Sequence, residues 1–350
     1  MPAALAQSPM IPQSLPRPSW TARRCVGHAE ITEAAAQAID RVLAFHKLDP
    51  AQVRNTYIDT CRQRDLCRLS WVARRSDYDA VQTFRHERVR FAFDDLIIRS
   101  GKTLLIESPF GDPVDLIAYR LAIEPGGLLR VDAPLTLTVG QLLGLATARS
   151  AYADSENLSR IVYHARSGQS GAPGLAGAAG SSGSRDIPDG VAGTVGGVGG
   201  EGEAGQALPD QSLFIHHLAG NLEITAQAGA GGAGGPGGPG GDGGRGHAVA
   251  FFDMGGGGDG GPGGDGGDGG RGGAGGRFEI GIRDRAEGAR LRLITHIAPG
   301  GHGGTPGTPG RGGIGAPDGH AGHPGPHGRQ GADGTPISLI WTEGKDPADA

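Results

Sequence analysis

Glycine recurs at every third position over long stretches in the second half of this 350-residue chain. One stretch, from Gly255 to Gly276, reads GGGGDGGPGGDGGDGGRGGAGG. Five such runs follow Tyr163, and the fifth leaves the phase once, at Ala316. A flexible linker has no physical reason to hold glycine in register, because a random coil is indifferent to position. The phase therefore predicts ordered rods.

A three-residue period is that of the polyproline II helix, which rises roughly 3.1 Å per residue and has no internal hydrogen bonds. Its N–H and C=O groups need partners in neighbouring chains. The third and fourth runs, 229–246 and 255–276, are Gly-Gly-X throughout, so two of their three edges are bare. We expect these runs at the centre of a bundle. Their packing glycines would be Gly232, Gly235, Gly238, Gly241, Gly244, Gly258, Gly261, Gly264, Gly267, Gly270 and Gly273.

The first half of the chain has other periodicities. Apolar residues at helical spacing predict an amphipathic helix over 30–48, and Pro50 at a first helical position predicts a second helix to Leu66. From Val89 the period changes to two, with breaks at Ser100-Gly101 and at 125–127. Such segments predict a β sandwich or a short β-solenoid, of which the sandwich is favoured.

The predicted fold class is mainly β with a polyglycine-II helix bundle. A small N-terminal α region comes first, then the β sandwich or short β-solenoid, then packed Gly-rich helices interleaved with short strands. The predicted domains are an N-terminal arm over 1–28, a helical region over 29–85, a β domain over 86–165 and the glycine-rich bundle over 166–350.

Composition excludes several function classes. The net charge of -5 argues against nucleic acid as a partner, and no apolar run approaches the ~20 residues of a membrane span. Cys25, Cys61 and Cys67 allow at most one disulfide and have no metal-binding spacing. The phosphate-loop motif that ends at Gly101-Lys102-Thr103 lacks its first glycine. We therefore expect no catalytic residues, no cofactor and no metal, and hence no enzyme.

The runs that contain GGPGGPGGDGGRG and GGPGGDGGDGGRGG resemble glycine-rich polyglycine-II proteins over about residues 168–335. One such class is the collagen-like surface and filament proteins of bacteria, in which the rods are structural. Another is the tip domain of T-even phage tail-fibre adhesins, whose inter-rod loops recognise the host. The N-terminal domain of Obg GTPases has similar glycine-rich strands, although its GTPase domain has no counterpart here.

These resemblances imply a structural subunit of an extracellular or surface assembly, such as a self-assembling filament, whose partner is itself. The alternative is a phage-type or cell-surface adhesin, carried on a virion if phage-derived, that binds a receptor or glycan through its turns. The candidate tip turn contains Asp186, Pro188 and Asp189. Ice binding is less favoured, because the third and fourth runs present Asp, Pro and Arg rather than flat arrays of Thr or Ala.

Overall fold

The computed structural model describes residues 31–53, 57–59, 66–70, 89–108, 111–144, 158–250 and 253–343. The predicted arm over 1–28 lies outside these residues. The helices are α1 (Glu33–Phe45) and α2 (Pro50–Val53). The strands are β1 (Tyr57–Asp59), β2 (Leu66–Ser70), β3 (Val89–Ile98), β4 (Thr103–Glu107), β5 (Val114–Ile123), β6 (Leu128–Asp132), β7 (Leu135–Gly144), β8 (Ser159–His164), β9 (Gln211–Gln227), β10 (Ala248–Ala250), β11 (Asp253–Met254), β12 (Arg277–Arg285), β13 (Arg290–His296) and β14 (Ser338–Glu343).

Helix α1 begins at an N-cap, where the Thr32 hydroxyl accepts a hydrogen bond from the Ala35 N–H at 3.3 Å. Its apolar face packs on β5 and β7, and the Tyr119 hydroxyl donates a hydrogen bond to the Asp40 carboxylate. The prediction of a second helix from Pro50 to Leu66 is wrong, because α2 has only four residues and β1 follows it. A proline at a first helical position favours the start of a helix but does not set its length.

Twelve parallel strands form one large sheet, and β9 is its centre. Residues 211–220 of β9 pair with β7, and residues 222–227 pair with β8. The sheet therefore has two arms that share β9. Arm A contains β1, β3, β5, β7, β9, β12 and β14, and arm B contains β2, β4, β6, β8, β9 and β13.

The two arms face each other across one hydrophobic core. In arm A, residues in register on successive strands form rows that point into this core, one of which consists of Leu116, Leu137, Leu213 and Ile280. All four side chains are fully buried, and they belong to the same cluster as Leu104 and the other buried residues of arm B. The sheet is therefore nearly closed into a barrel.

The predicted fold class is wrong in its main element. The protein is mainly β, but a large parallel sheet organises it rather than a polyglycine-II helix bundle or a β sandwich. Two-residue alternation is the same in parallel and antiparallel strands, so the pattern could not separate these architectures. The strands beyond residue 165, assigned to the bundle, extend the same sheet as β3 to β8.

The glycine-rich segments are insertions between strands of this sheet and adopt neither helix nor strand. We call the six extended segments rods 1 to 6; they span 166–183, 190–206, 229–246, 255–276, 299–315 and 319–335. The fifth run forms two rods, because Ala316 lies in the turn between them. Rods 1 and 2 connect β8 to β9, rods 3 and 4 connect β9 to β12, and rods 5 and 6 connect β13 to β14.

Backbone hydrogen bonds at every third residue hold the rods together. The Gly264 N–H donates to the Gly238 carbonyl at 2.8 Å, and the Gly238 N–H donates to the Gly197 carbonyl at 2.8 Å. Rods 1, 3 and 5 form one row and rods 2, 4 and 6 form a second. Rod 3 bonds to rods 1, 2, 4 and 5, and rod 4 bonds to rods 2, 3, 5 and 6. The two Gly-Gly-X rods therefore lie between the other four.

The eleven packing glycines named from the sequence all lie where a side chain cannot fit. A Cβ on each would overlap a backbone carbonyl oxygen of rod 1 or rod 2; for Gly264 this is the oxygen of Gly197. Gly256, in the same rod, differs, because the nearest atom to its Cβ position is an Asp189 oxygen at 3.5 Å.

We expect Gly264→Ala to lower the free energy of unfolding by about 2 kcal/mol or more, because the methyl group forces rods 2 and 4 apart. Gly256→Ala is the matched control and should change stability by less than about 1 kcal/mol, since its methyl group has room. Chemical denaturation of both variants measures the difference. Equal destabilisation would contradict the packing described.

Candidate functional site

The hydrophobic core is open at the C-terminal end of the sheet. Strand β14 pairs with β12, and Trp341 lies in register with Ile280, which is fully buried. Trp341 is thus the last described member of the core row that contains Leu116, yet it is 39% exposed, and Leu339 is 47% exposed. Within the described residues no further strand covers these two side chains.

Arm B ends in the same way. Strand β13 pairs only with β9 among the described strands, and Leu291 and Leu293 continue the rows of Leu222 and Ile224. Leu222 and Ile224 are buried, whereas Leu291 and Leu293 are half-buried. An end of this kind, with unpaired strand edges and partly exposed core residues, is a surface on which another chain can add strands. We call it the open end.

Charged groups border the open end. The Arg285 guanidinium lies over the Trp341 ring, 5.3 Å from its centroid, which is a cation–π geometry. On the same strand, an Asp284 oxygen lies 2.7 Å from His217 Nδ1. This hydrogen bond from His217 is the main reason that the pKa of the Asp284 carboxyl is lowered from its ordinary value.

A row of polar residues crosses the outer face of arm A toward these groups. Arg120 makes a bidentate ion pair with Asp95, at 2.6 and 2.8 Å, and Gln141 stands in register between Arg120 and His217. The buried Oε1 of Gln141 has no hydrogen-bond partner among the described residues. Because the ionic groups pair across neighbouring strands, the row stabilises strand register.

The opposite end of the rod bundle is built from three turns. They are 184–189 between rods 1 and 2, the connection between rods 3 and 4 that contains the antiparallel pair β10 and β11, and 316–318 between rods 5 and 6. The His247 N–H donates to the Pro188 carbonyl at 2.7 Å, and the Ala316 N–H donates to the Gly255 carbonyl at 3.0 Å. These bonds bring the three turns together as one surface, which we call the distal tip.

The residues of the predicted tip turn have different environments. Asp189 is part of the framework, because its carboxylate accepts a hydrogen bond from the Gly256 N–H at 2.7 Å. Pro188 contributes the carbonyl that bonds His247. Asp186 is exposed, and its carboxylate has no hydrogen bond to the described residues. Of the two carboxylates, that of Asp186 is therefore not engaged by the described residues, whereas that of Asp189 is held in place by one of its oxygens.

Each region of the distal tip has an exposed β-branched residue within it or, for the third turn, two residues before it. These residues are Ile187, Val249 and Ile314, and each is more than half exposed. Scattered exposed apolar residues are common, but three at the end of one bundle form a candidate contact surface. Val249 and Ile314 were not among the residues predicted from the sequence, although the phase break at Ala316 indicates a turn beside Ile314.

The position of Leu339 and Trp341 in the last layer of the core was not predicted from the sequence. Alternation identified them as parts of a strand, but their position in the last layer depends on sheet order. That order depends on pairing between residues more than sixty positions apart, such as Ile280 and Trp341. No local pattern carries this information.

Aspartates on the central rods fix the register of the bundle. The Asp268 carboxylate accepts a hydrogen bond from the Arg329 N–H at 2.7 Å, while the Gly269 N–H donates to the Arg329 carbonyl at 2.8 Å. Asp259 and Asp242 bind His320 and Arg311 in the same way. Two hydrogen bonds to one residue of the neighbouring rod define the alignment of the two rods.

Comparisons with known proteins give no family. No family model and no curated protein matches the chain. Among solved structures, an antifreeze protein from the springtail Granisotoma rainieri, described as a nine polyproline type II helical bundle, is 24% identical. The match covers 51% of this chain and 94% of that chain, with a TM-score of 0.08. A similarity at this TM-score carries no argument about fold or function.

The resemblance to collagen-like polyglycine-II surface and filament proteins and to phage tail-fibre adhesin tips is therefore wrong as an assignment. No matching family supports it, and the molecule is organised by a parallel sheet. In the part of the chain that the structure describes, no helix is both long and apolar enough to cross a bilayer. The same residues contain no group of three side chains that could hold a metal ion.

We expect Asp268→Ala to lower the free energy of unfolding by about 1 kcal/mol, because the Arg329 N–H loses its acceptor. Asp265→Ala is the matched control. Asp265 is aligned with Pro326, which has no N–H to donate, so its loss should cost less than about 0.5 kcal/mol. Thermal unfolding of both variants measures the difference, and equal shifts in Tm would contradict a register role for Asp268.

Proposed function

We propose that this protein is a non-catalytic structural subunit of an extracellular or cell-surface assembly, in which copies stack end to end through the open end of the sheet. The observation that carries the proposal is the partly exposed core row at Trp341 and Leu339. Proteins built from stacked repeats generally need a polar terminal layer to remain soluble as single molecules. The last described layer here has apolar residues instead.

The direction of the strands supports head-to-tail stacking. All pairings in both arms are parallel, so a strand added beside β14 must run in the same direction to continue the pattern. The first strands of a second copy have that direction. A contact between two different surfaces of the same chain does not close on itself unless a rotation forms a ring, so it generates open filaments.

We expect Trp341→Lys to weaken association by at least ~100-fold, since a lysine buried between two copies costs about 3 kcal/mol or more. Phe45→Lys is the matched control, because Phe45 is an exposed aromatic residue on α1, away from the open end. Negative-stain electron microscopy and sedimentation velocity over a wide range of concentrations measure the effect. Wild-type protein that remains a single species throughout would rule out end-to-end assembly.

A second candidate function is recognition of a surface receptor or glycan by the distal tip. The observation that favours it is the convergence of Ile187, Val249 and Ile314, with Asp186 beside them. The framework of this surface is rigid, because neighbouring rods are hydrogen-bonded along their length. A rigid contact surface loses little conformational entropy when a ligand binds.

We expect the triple variant Ile187→Ser, Val249→Ser, Ile314→Ser to lose affinity for a ligand found on a glycan array by at least tenfold, about 1.4 kcal/mol. The control variant carries Phe45→Ser and Ile297→Ser, two exposed apolar residues outside the distal tip, and should bind like the wild type. Surface plasmon resonance with the identified glycan measures both. Equal losses in the two variants would argue against the tip, and so would the absence of any glycan bound by the wild type.

A further inference from the structure

Rods 1 and 2 form one side of the bundle, and away from Arg166, Glu201 and Glu203, which lie at the ends of the rods next to the sheet, this side carries apolar and uncharged polar side chains. Leu175, Val195 and Val198 are 82%, 60% and 65% exposed. The sequence has no charged residue and no histidine over 167–184 or over 190–200. We call the surface of these two stretches the lateral face.

The opposite side of the bundle, made by rods 5 and 6, has a different chemistry. Its exposed side chains include His302, Arg311, His320, His323, His327 and Arg329. The bundle therefore has one side rich in charged and histidine side chains, and a lateral face whose two stretches have none. An exposed apolar strip of this length on a rigid framework is typical of a protein contact surface.

We infer that the lateral face binds the lateral face of a second copy of this chain, about a two-fold axis and with the rods antiparallel. The face offers no charge by which to select a charged partner. Its side chains repeat every three residues along straight rods, and a second copy presents the same repeat. A two-fold contact uses the same patch on both copies, as this face would.

The local relief of the face fits such a contact. Leu175 stands beside Gly197, whose N–H donates to the Leu175 carbonyl at 2.6 Å, and Ala172 stands beside Gly200 in the same way. Each copy thus presents a projecting leucine beside one glycine, Gly197, and a second glycine, Gly200, beside the small side chain of Ala172. In a two-fold pair the leucine of one copy can pack over the glycines of the other.

The topology selects the antiparallel orientation. Three strands of arm A, namely β1, β3 and β5, precede the layer from which rods 1 and 2 emerge, so they project beyond the lateral face at the base of the rods. Parallel rods would bring these strands of the two copies into collision. Antiparallel rods place them at opposite ends of the contact.

The area is sufficient for a reversible dimer. About twelve residues per rod at roughly 3.1 Å per residue give a length of about 37 Å. Two chains about 5 Å apart, with their side chains, give a width of roughly 15 Å. The face is then about 550 Å² per copy, and the dimer buries ~1,100 Å², near the lower limit of about 1,200 Å² for specific interfaces. We therefore expect a weak dimer.

The test uses full-length protein that carries Trp341→Lys, so that stacking at the open end does not obscure the result. In this background we expect a dimer in sedimentation velocity as concentration rises. Adding Val195→Lys and Val198→Lys should raise the dimer dissociation constant at least tenfold. The control adds His327→Lys and Gln330→Lys, which have the same spacing on the exposed side of rod 6, and should dimerise normally.

Each outcome decides between the alternatives. A monomer at all concentrations would overturn the inference and point to residues 1–28, or to another protein, as the cover of this face. A dimer that persists in the Val195 and Val198 variant would also overturn it. If the wild type forms no filaments but forms a dimer that these two lysines disrupt, the lateral contact stands and the end-to-end proposal fails.

Discussion

The structure depends on one repeated interaction, the hydrogen bond from a phased glycine N–H to a carbonyl on a neighbouring rod. Ordering a residue costs about 1–2 kcal/mol, and glycine loses more conformational freedom than other residues, so one pair of rods could not remain ordered alone. Each hydrogen bond returns only about 0.5–1.5 kcal/mol, so central rods need several neighbours. Rods 3 and 4 bond to four neighbours each. A methyl group at Gly264 or its equivalents would remove this close approach.

The parallel sheet makes the bundle possible because it fixes where every rod begins and ends. Rods 1, 3 and 5 leave from β8, β9 and β13, which are consecutive in arm B. Neighbouring strands lie about 4.8 Å apart, and chains joined by backbone hydrogen bonds need a similar separation. The sheet thus holds the ends of the rods at hydrogen-bonding distance from one another. This reduces the loss of conformational entropy that accompanies their association.

The sequence predicted local features well and long-range order poorly. The apolar spacing that predicts α1 and the glycine phase that defines the rods are both local. The parallel sheet is not, because 46 residues separate β8 from β9 and the rods occupy most of that interval. The turn at Glu287-Gly288 illustrates the limit, because it joins β12 in arm A to β13 in arm B, and these two consecutive strands do not pair as a hairpin. For the same reason Trp341 could be assigned to a strand but not to the end of the core.

The open end and the lateral face are geometrically compatible in one assembly. Arm A has seven described strands, and the rods emerge from three successive layers. In an end-to-end stack, five layer spacings of about 4.8 Å would separate rods 5 and 6 of one copy from rods 1 and 2 of the next, a gap of about 24 Å. A second bundle, which is three rods thick in this direction, has about that thickness when its side chains are included. The gap has the apolar lateral face of one copy on one side and the polar side of the neighbouring copy on the other. An antiparallel bundle inserted into the gap would place its apolar face against that lateral face and its polar side against the polar side. In the proposed assembly, stacking and lateral pairing would therefore reinforce each other.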